Sequence, residues 1–181
     1  MIFLTIFFIV LLPFLLIILF CVWTPESPWS PWWRTNKKTA EAVCDLAKIS
    51  AKDVVYELGS GDGEALITIA RKTGAQCVGI EIDPFRFLFS QIRKISSHTK
   101  NIQFVRKDFK KMDLQKATIV YMYLVPAGIK RTLPLFKKDL QPGTKLVSYI
   151  YKIPLEKKDS YIQLQKEDKK NNLFIYTIIR G

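Results

Sequence analysis

The chain has 181 residues, with 28 Lys and Arg against 16 Asp and Glu, a formal net charge of +12, and 49% hydrophobic residues. That length fits one domain, and the composition excludes a disordered chain, a collagen-like repeat and a small disulfide-stapled fold. The averages conceal an uneven distribution: no charged residue and no histidine precedes Glu26, so all 44 charges lie in the last 156 residues.

Residues 1–23 read MIFLTIFFIVLLPFLLIILFCVW, interrupted by Thr5 and Pro13. At about 1.5 Å rise per residue, a helix of this length covers the ~30 Å hydrocarbon core of a bilayer. We therefore expect a transmembrane anchor, with Pro13 tolerated as membrane helices tolerate proline. A cleaved signal peptide fits less well, since nothing basic precedes the run and its end, Phe20-Cys21-Val22-Trp23, is bulky. Arg34, Lys37 and Lys38 follow the run, which by the positive-inside rule places the rest of the chain on the cytoplasmic side. Residues 24–34 form a Trp/Pro-rich linker. All four tryptophans fall within residues 23–33, and Pro25, Pro28 and Pro31 favour extended backbone. Indole rings prefer the headgroup region, so this stretch reads as an interfacial collar; packing of some rings onto the domain is the alternative.

Residues 35–181 alternate helices with strands. Apolar spacing predicts a helix over 38–49, with Ala40, Val43, Cys44 and Ala47 on one face. Strands are expected at 53–58, 76–82, 101–105, 117–124 and 145–151. Helices are expected at 64–72, stopped by Gly74, then from Asp83-Pro84 to about 95, then over 126–140, with Pro134 restarting the last. Gln141-Pro142-Gly143 is a turn, and strands at 161–165 and 173–179 end the chain. Such alternation implies an α/β fold with a parallel sheet covered on both faces, whose ligands bind at the C-terminal strand ends.

The first of those ends carries Glu57-Leu58-Gly59-Ser60-Gly61-Asp62-Gly63 before a helix. Glycines at alternate positions let the backbone turn sharply and approach a ligand. A dinucleotide fingerprint would place its third glycine where Glu64 stands, and a P-loop would require Gly-Lys-Ser/Thr. The carboxylates of Glu57, Asp62 and Glu64 disfavour a pyrophosphate and suit a cationic ligand.

VVYELGSGDGEALI resembles motif I of the class I, seven-β-strand S-adenosylmethionine-dependent methyltransferases. VGIEIDP and VRKDF follow in order, each after its expected strand. The resemblance implies a Rossmann-like seven-stranded sheet flanked by helices, with S-adenosyl-L-methionine as cofactor. It implies that Glu57 and the backbone of Gly59, Ser60, Gly61, Asp62 and Gly63 surround the methionine portion. Glu81, followed by Ile82, would accept from both ribose hydroxyls, and Asp108, followed by Phe109, would meet the adenine amino group. Asp83 reads instead as a helix cap, and Lys107, Lys110 or Lys111 could simply pair with Asp108. RTNKKTAEAVCDLAKISAKDVVYELGSGDGE and VYMYLVPAGIKRTLPLFKKDLQPGTKLVSYIY are similar to small protein-lysine methyltransferases, namely the archaeal broad-specificity enzymes and the membrane-anchored mitochondrial enzymes acting on the ATP synthase c-subunit and the adenine nucleotide translocase. This likeness implies that Thr35 helps to hold the cofactor's carboxylate, and it makes a membrane-associated protein substrate and the bilayer the expected partners.

The loop after the fourth strand, Tyr121-Met122-Tyr123-Leu124-Val125-Pro126, lacks the Asn/Asp-Pro-Pro-Tyr of the adenine and amino-acid N-methyltransferases of this fold. That counts against nucleic acid as a partner. Tyr123 is the expected catalytic-pocket residue; its alternative is a core aromatic. The only histidine, His98, lies in an SSHTK loop and reads as solvent-exposed. Few residues separate the fifth strand from the terminal pair, leaving an open site suited to a macromolecule. The runner-up acceptor is a lipid or small hydrophobic molecule, and the non-enzyme alternative is a degenerate fold serving as a membrane scaffold. Cys21, Cys44 and Cys77 suggest neither a disulfide framework nor a metal site.

Overall fold

The computed structural model describes residues 2–22 and 33–179; within the first helix, side chains are described for residues 5 and 7–17. Residues 23–32, and with them three of the four tryptophans and most of the expected collar, lie outside the described residues. Ile2–Val22 forms helix α1, which runs through Pro13. Among the described residues no helix is long and apolar enough to cross a membrane. The anchoring of residues 1–23 is thus left as an expectation by the fold.

The rest is an α/β sandwich. Helix α2 (Lys37–Ala47) starts at Asn36, whose side chain accepts from the Thr39 amide at 2.9 Å. Its expected face is buried, with Ala40, Val43, Cys44 and Ala47 at 0–3% exposure. Then follow β1 (Val54–Leu58), α3 (Glu64–Thr73), β2 (Gln76–Glu81), α4 (Pro84–Ser97), β3 (Ile102–Arg106), β4 (Ile119–Met122), α5 (Pro126–Asp139), β5 (Lys145–Tyr149), β6 (Ile162–Asp168) and β7 (Leu173–Ile178). The strands form one seven-stranded sheet in the order β3-β2-β1-β4-β5-β7-β6. All neighbours are parallel except β7, which runs antiparallel between β5 and β6.

The period of two in the strands feeds two cores. In β4, Val120 and Met122 join the layer beneath α5 with Tyr56, Leu58, Ile129 and Phe136. Ile119 and Tyr121 point the other way, into the layer beneath α2 and α3 with Val43, Leu66 and Ile69. Burying each such side chain contributes about 1.5–3 kcal/mol. Two expectations differ from what folds. Pro134 does not restart α5, which is continuous from Pro126 to Asp139. A mid-helix proline removes one hydrogen bond, but Ile129, Leu133 and Phe136 on both sides of it are locked into one core. Short 3-10 turns at Phe109–Lys111 and Lys157–Asp159 were not foreseen.

Candidate active site

The chain reverses at the order switch between β1 and β4, where open parallel sheets leave a crevice. The loop after β1 is built there from Gly59, Gly61 and Gly63, all with positive φ. Gly63 is the tightest position: φ is +78° and an added Cβ would collide with the Phe104 ring. The Gly59 and Ser60 amides both donate to the Ile80 carbonyl, at 2.9 and 3.0 Å. Glu81 secures the loop from β2. Its Oε2 accepts from the Gly61 amide at 2.8 Å, and its Oε1 accepts from the Asp83 amide at 2.9 Å. Each carboxylate oxygen has two lone pairs, so both retain capacity for a further donor.

Glu57 lies deepest. It is 4% exposed, and its Oε2 is buried with no hydrogen-bond partner. Burial, then the nearby Asp62 and Glu81 carboxylates, push the Glu57 carboxyl well above its usual range. Burial also raises Glu81, against the lowering effect of its two backbone amide bonds. Beside Glu57 in the register of β1 and β4 stands Tyr121, whose hydroxyl lies 2.9 Å from that of Thr35. Tyr121 is wholly buried, and desolvation followed by the Glu57 charge pushes its phenol well up.

The acidity of the loop is narrower than its sequence implies. Asp62 and Glu64 are each bridged by two guanidinium groups. Arg34 reaches Asp62 at 2.8 Å and Glu64 at 3.0 Å, while Arg93 from α4 reaches Asp62 at 2.7 Å and also pairs with Glu64. The acids left to face a ligand are therefore Glu57, which burial favours in its neutral form, and Glu81, with Arg86 nearby, rather than Asp62 and Glu64.

One cavity at the C-terminal strand ends gathers Thr35, Glu57, Gly59, Ser60, Gly61, Asp62, Glu81, Ile82, Asp108, Phe109 and Tyr123. Gly63 stands apart: it caps α3 and packs on Phe104, so it shapes the loop without lining the cavity. Asp83 caps α4, accepting from the Phe85 and Arg86 amides at 2.9 Å each. Asp108 lines the cavity and also pairs with Lys110 at 3.3 Å, so both readings of it coexist. Tyr123 is half-buried and edge-on to Tyr149, with ring centroids 4.6 Å apart. His98 is exposed and closes α4 in a left-handed conformation. Sequence reasoning missed Arg34, Arg86 and Arg131 in the lining and Tyr121 behind it. Arg34 had registered only as a membrane-orientation charge, and Tyr121 only within the stretch after the fourth strand, with no role of its own.

This donor set fits a ligand that carries both a cation and vicinal hydroxyls: a buried carboxylate oxygen lacks a partner, and a second carboxylate has free lone pairs beside a glycine cradle. The sheet order, the glycine loop and the acid after β2 define the S-adenosylmethionine-dependent methyltransferase class. A family model described as the ANTKMT methyltransferase domain matches residues 57–160. The chain is 30% identical over 159 residues to a protein-lysine N-methyltransferase of Saccharolobus islandicus (strain REY15A), covering 86% of this chain and 96% of that one. It is 27% identical over 109 residues to a Xenopus laevis lysine N-methyltransferase of the ATP synthase c-subunit, covering 58% of this chain and 46% of that one. Among solved structures, an RNA methyltransferase from Salinibacter ruber in complex with S-adenosyl-L-homocysteine superposes with a TM-score of 0.74 at 29% identity, covering 82% of this chain and 95% of that one. The chain belongs to the ANTKMT methyltransferase domain family. It is an S-adenosylmethionine-dependent methyltransferase, and S-adenosylmethionine is its cofactor.

Proposed function

We propose that the protein is a membrane-anchored protein-lysine N-methyltransferase whose catalytic domain lies on the cytoplasmic side. The observation that carries the acceptor is the cavity mouth. Tyr123 lines it with Tyr149 edge-on behind, and no α-helix lies between β5 and β6 to close it. Electron-rich rings favour the alkyl-ammonium of lysine, and an open mouth admits a polypeptide. The relative from Saccharolobus islandicus, matched over most of both chains, supports the same acceptor. The relative from Xenopus laevis is named for the ATP synthase c-subunit, which agrees with a protein substrate. For the anchor, the support is α1: 21 residues without a charge, followed by Arg34, Lys37 and Lys38.

The cofactor, when bound, supplies a methyl group activated by a sulfonium. The residues of this chain position and desolvate. Glu57 would face the cofactor's cationic end and Glu81 its ribose hydroxyls, while Asp108 and Phe109 border the adenine end. Thr35, oriented by Tyr121, would meet the carboxylate. The acceptor lysine has to lose a proton, which from a reference pKa near 10.4 costs roughly 4–5 kcal/mol at neutral pH. Among the described lining residues no histidine is available to take it. Burial of the ammonium between Tyr123 and a neighbouring cation lowers its pKa instead, and the proton leaves through the open mouth.

Two other acceptors have a specific basis. The solved RNA methyltransferase favours RNA, against which stands the absence of Asn/Asp-Pro-Pro-Tyr after β4. The apolar α1 favours a lipid. The full-length protein, incubated with membranes and methyl-labelled cofactor, should place label in methyl-lysine after acid hydrolysis. Label recovered only in the lipid extract or only in digested RNA overturns the lysine reading.

A further inference from the structure

Helix α4 packs Phe87 against the core but turns most of its apolar side chains outward. Its position sealed against the sheet is polar, Ser90 at 0% exposure, while Leu88, Phe89, Ile92 and Ile95 stand 50–73% exposed. At roughly 100° per residue these four fall within about 120° of one another, a continuous apolar stripe directed away from the sheet. Four large apolar side chains on one solvent-facing stripe need an occupant.

Charge and connectivity identify that occupant. From Pro84 to Lys111 the sequence holds eight Lys and Arg and a single acid, Asp108. The stripe lies within this strongly basic stretch. An apolar face within a strongly cationic stretch of chain suits a helix lying in the plane of an anionic bilayer surface. The chain also arrives on this side. Trp33 is 67% exposed, and the next residue, Arg34, shares the carboxylates of Asp62 and Glu64 with Arg93 of α4. Ten residues separate Trp33 from the end of α1, a tether that spans at most about 35 Å. RNA would use the cations but has no use for the exposed Leu and Ile side chains.

We infer that α4 is the membrane-seated face of the catalytic domain: Leu88, Phe89, Ile92 and Ile95 enter the headgroup boundary of an anionic phospholipid bilayer, with the exposed Lys100, Arg106, Lys107 and Lys111 of the same stretch on the lipid phosphates. The inference rests on the proposed anchoring of α1. Its consequence is an orientation. Arg86 of α4 and the Phe109-Lys110 turn both border the cavity, so the cavity mouth is held at the bilayer surface and selects acceptors lying there.

The test uses the full chain with Cys21→Ser, which leaves the buried Cys44 and Cys77 as the other thiols. A polarity-sensitive fluorophore is placed at Ile92→Cys or, as reference, at Gln163→Cys, exposed on β6 at the opposite sheet edge. The protein is reconstituted into phosphatidylcholine vesicles containing a minority of phosphatidylserine, with spin-labelled lipid as quencher. Label at 92 should be blue-shifted and lose most of its emission to quencher near the headgroups, while label at 163 is unaffected. Adding Leu88→Glu and Ile95→Glu, both at exposed positions, should abolish quenching at 92 with the melting temperature unchanged. Flotation with vesicles but equal emission at 92 and 163 overturns the inference while leaving the anchor intact. Failure to float overturns the anchor and the inference with it. Self-quenching at 92 without lipid assigns the stripe to a second copy, and a shift caused by RNA without lipid assigns it to RNA; either overturns the membrane occupant. Methyl transfer to lysine in solution, measured in parallel, reports on the enzymatic reading independently of all these outcomes.

Discussion

Glu57 concentrates the chemistry of the site into one side chain. Its Oε2 is buried without a partner, and burial pushes its carboxyl well above the ordinary range. The sign of the consequence follows. Between the unfolded and folded pKa values the folded state binds more protons, so stability falls as pH rises through that interval. The cofactor-free protein should therefore melt at lower temperature as pH rises above the carboxylate range, and Glu57→Gln should flatten that slope. A slope unchanged in the variant would move the effect to another group. Cofactor affinity should run the opposite way, rising over the same interval as Glu57 ionises to face a cation, and Glu57→Gln should remove that rise in calorimetry. Glu81→Ala removes an acceptor for the ribose and the latch on the Gly61 and Asp83 amides together. It should weaken cofactor binding by about 1–3 kcal/mol. Unchanged affinity would mean that β2 does not present this carboxylate to the ribose.

Elements, not single residues, hold the loop in shape. Gly63 connects β1 chemistry to α3 packing: its φ of +78° and the adjacent Phe104 ring leave no room for a side chain. Gly63→Ala should destabilise the fold by about 1–3 kcal/mol, read as a shift in denaturant midpoint at constant slope. A loss of cofactor affinity at unchanged stability would instead put Gly63 in the cavity wall. The strands and helices were legible in the sequence, as were the loop and the two acids after β2 and β3, because apolar period and turn residues are local signals. The Tyr121–Thr35 contact, 86 residues apart, was not, since nothing in either segment encodes the other. The same holds for the neutralisation of Asp62 and Glu64 by Arg34 and Arg93. Helix α4 was legible as a helix but not as an inverted one. Apart from Phe87, the apolar residues of Pro84–Ser97 gather on one stripe, which periodicity alone would turn toward the sheet.

At the scale of the whole molecule, charge and apolarity are partitioned along the chain. A charge-free segment precedes Glu26, and a neutral linker stretch leads to a basic catalytic domain. If α1 is embedded, full-length protein in a membrane pellet should resist an alkaline carbonate wash and come free only with detergent; release by carbonate alone would overturn the anchor. The thiols agree with a fold that does not use them. Cys44 is pushed up to about 11, chiefly by burial, and Cys77 is raised further for the same reason. Both should stay unmodified by a polar alkylating reagent until the domain unfolds.

By itself the sequence determined the alternation of helices and strands, the cofactor class and the positions of Glu57, Glu81 and Asp108. The alternation rests on short-range patterns of turn and period, the cofactor class and the three acids on the resemblance of the motifs that carry them. The tertiary structure alone decided which carboxylates are tied to arginines, which tyrosine lines the cavity and which stands behind it, and which face of α4 meets solvent. Those outcomes depend on segments distant in sequence meeting across the sheet. Burial and pairing are properties of what surrounds a side chain, and a linear chain does not specify its surroundings until it folds.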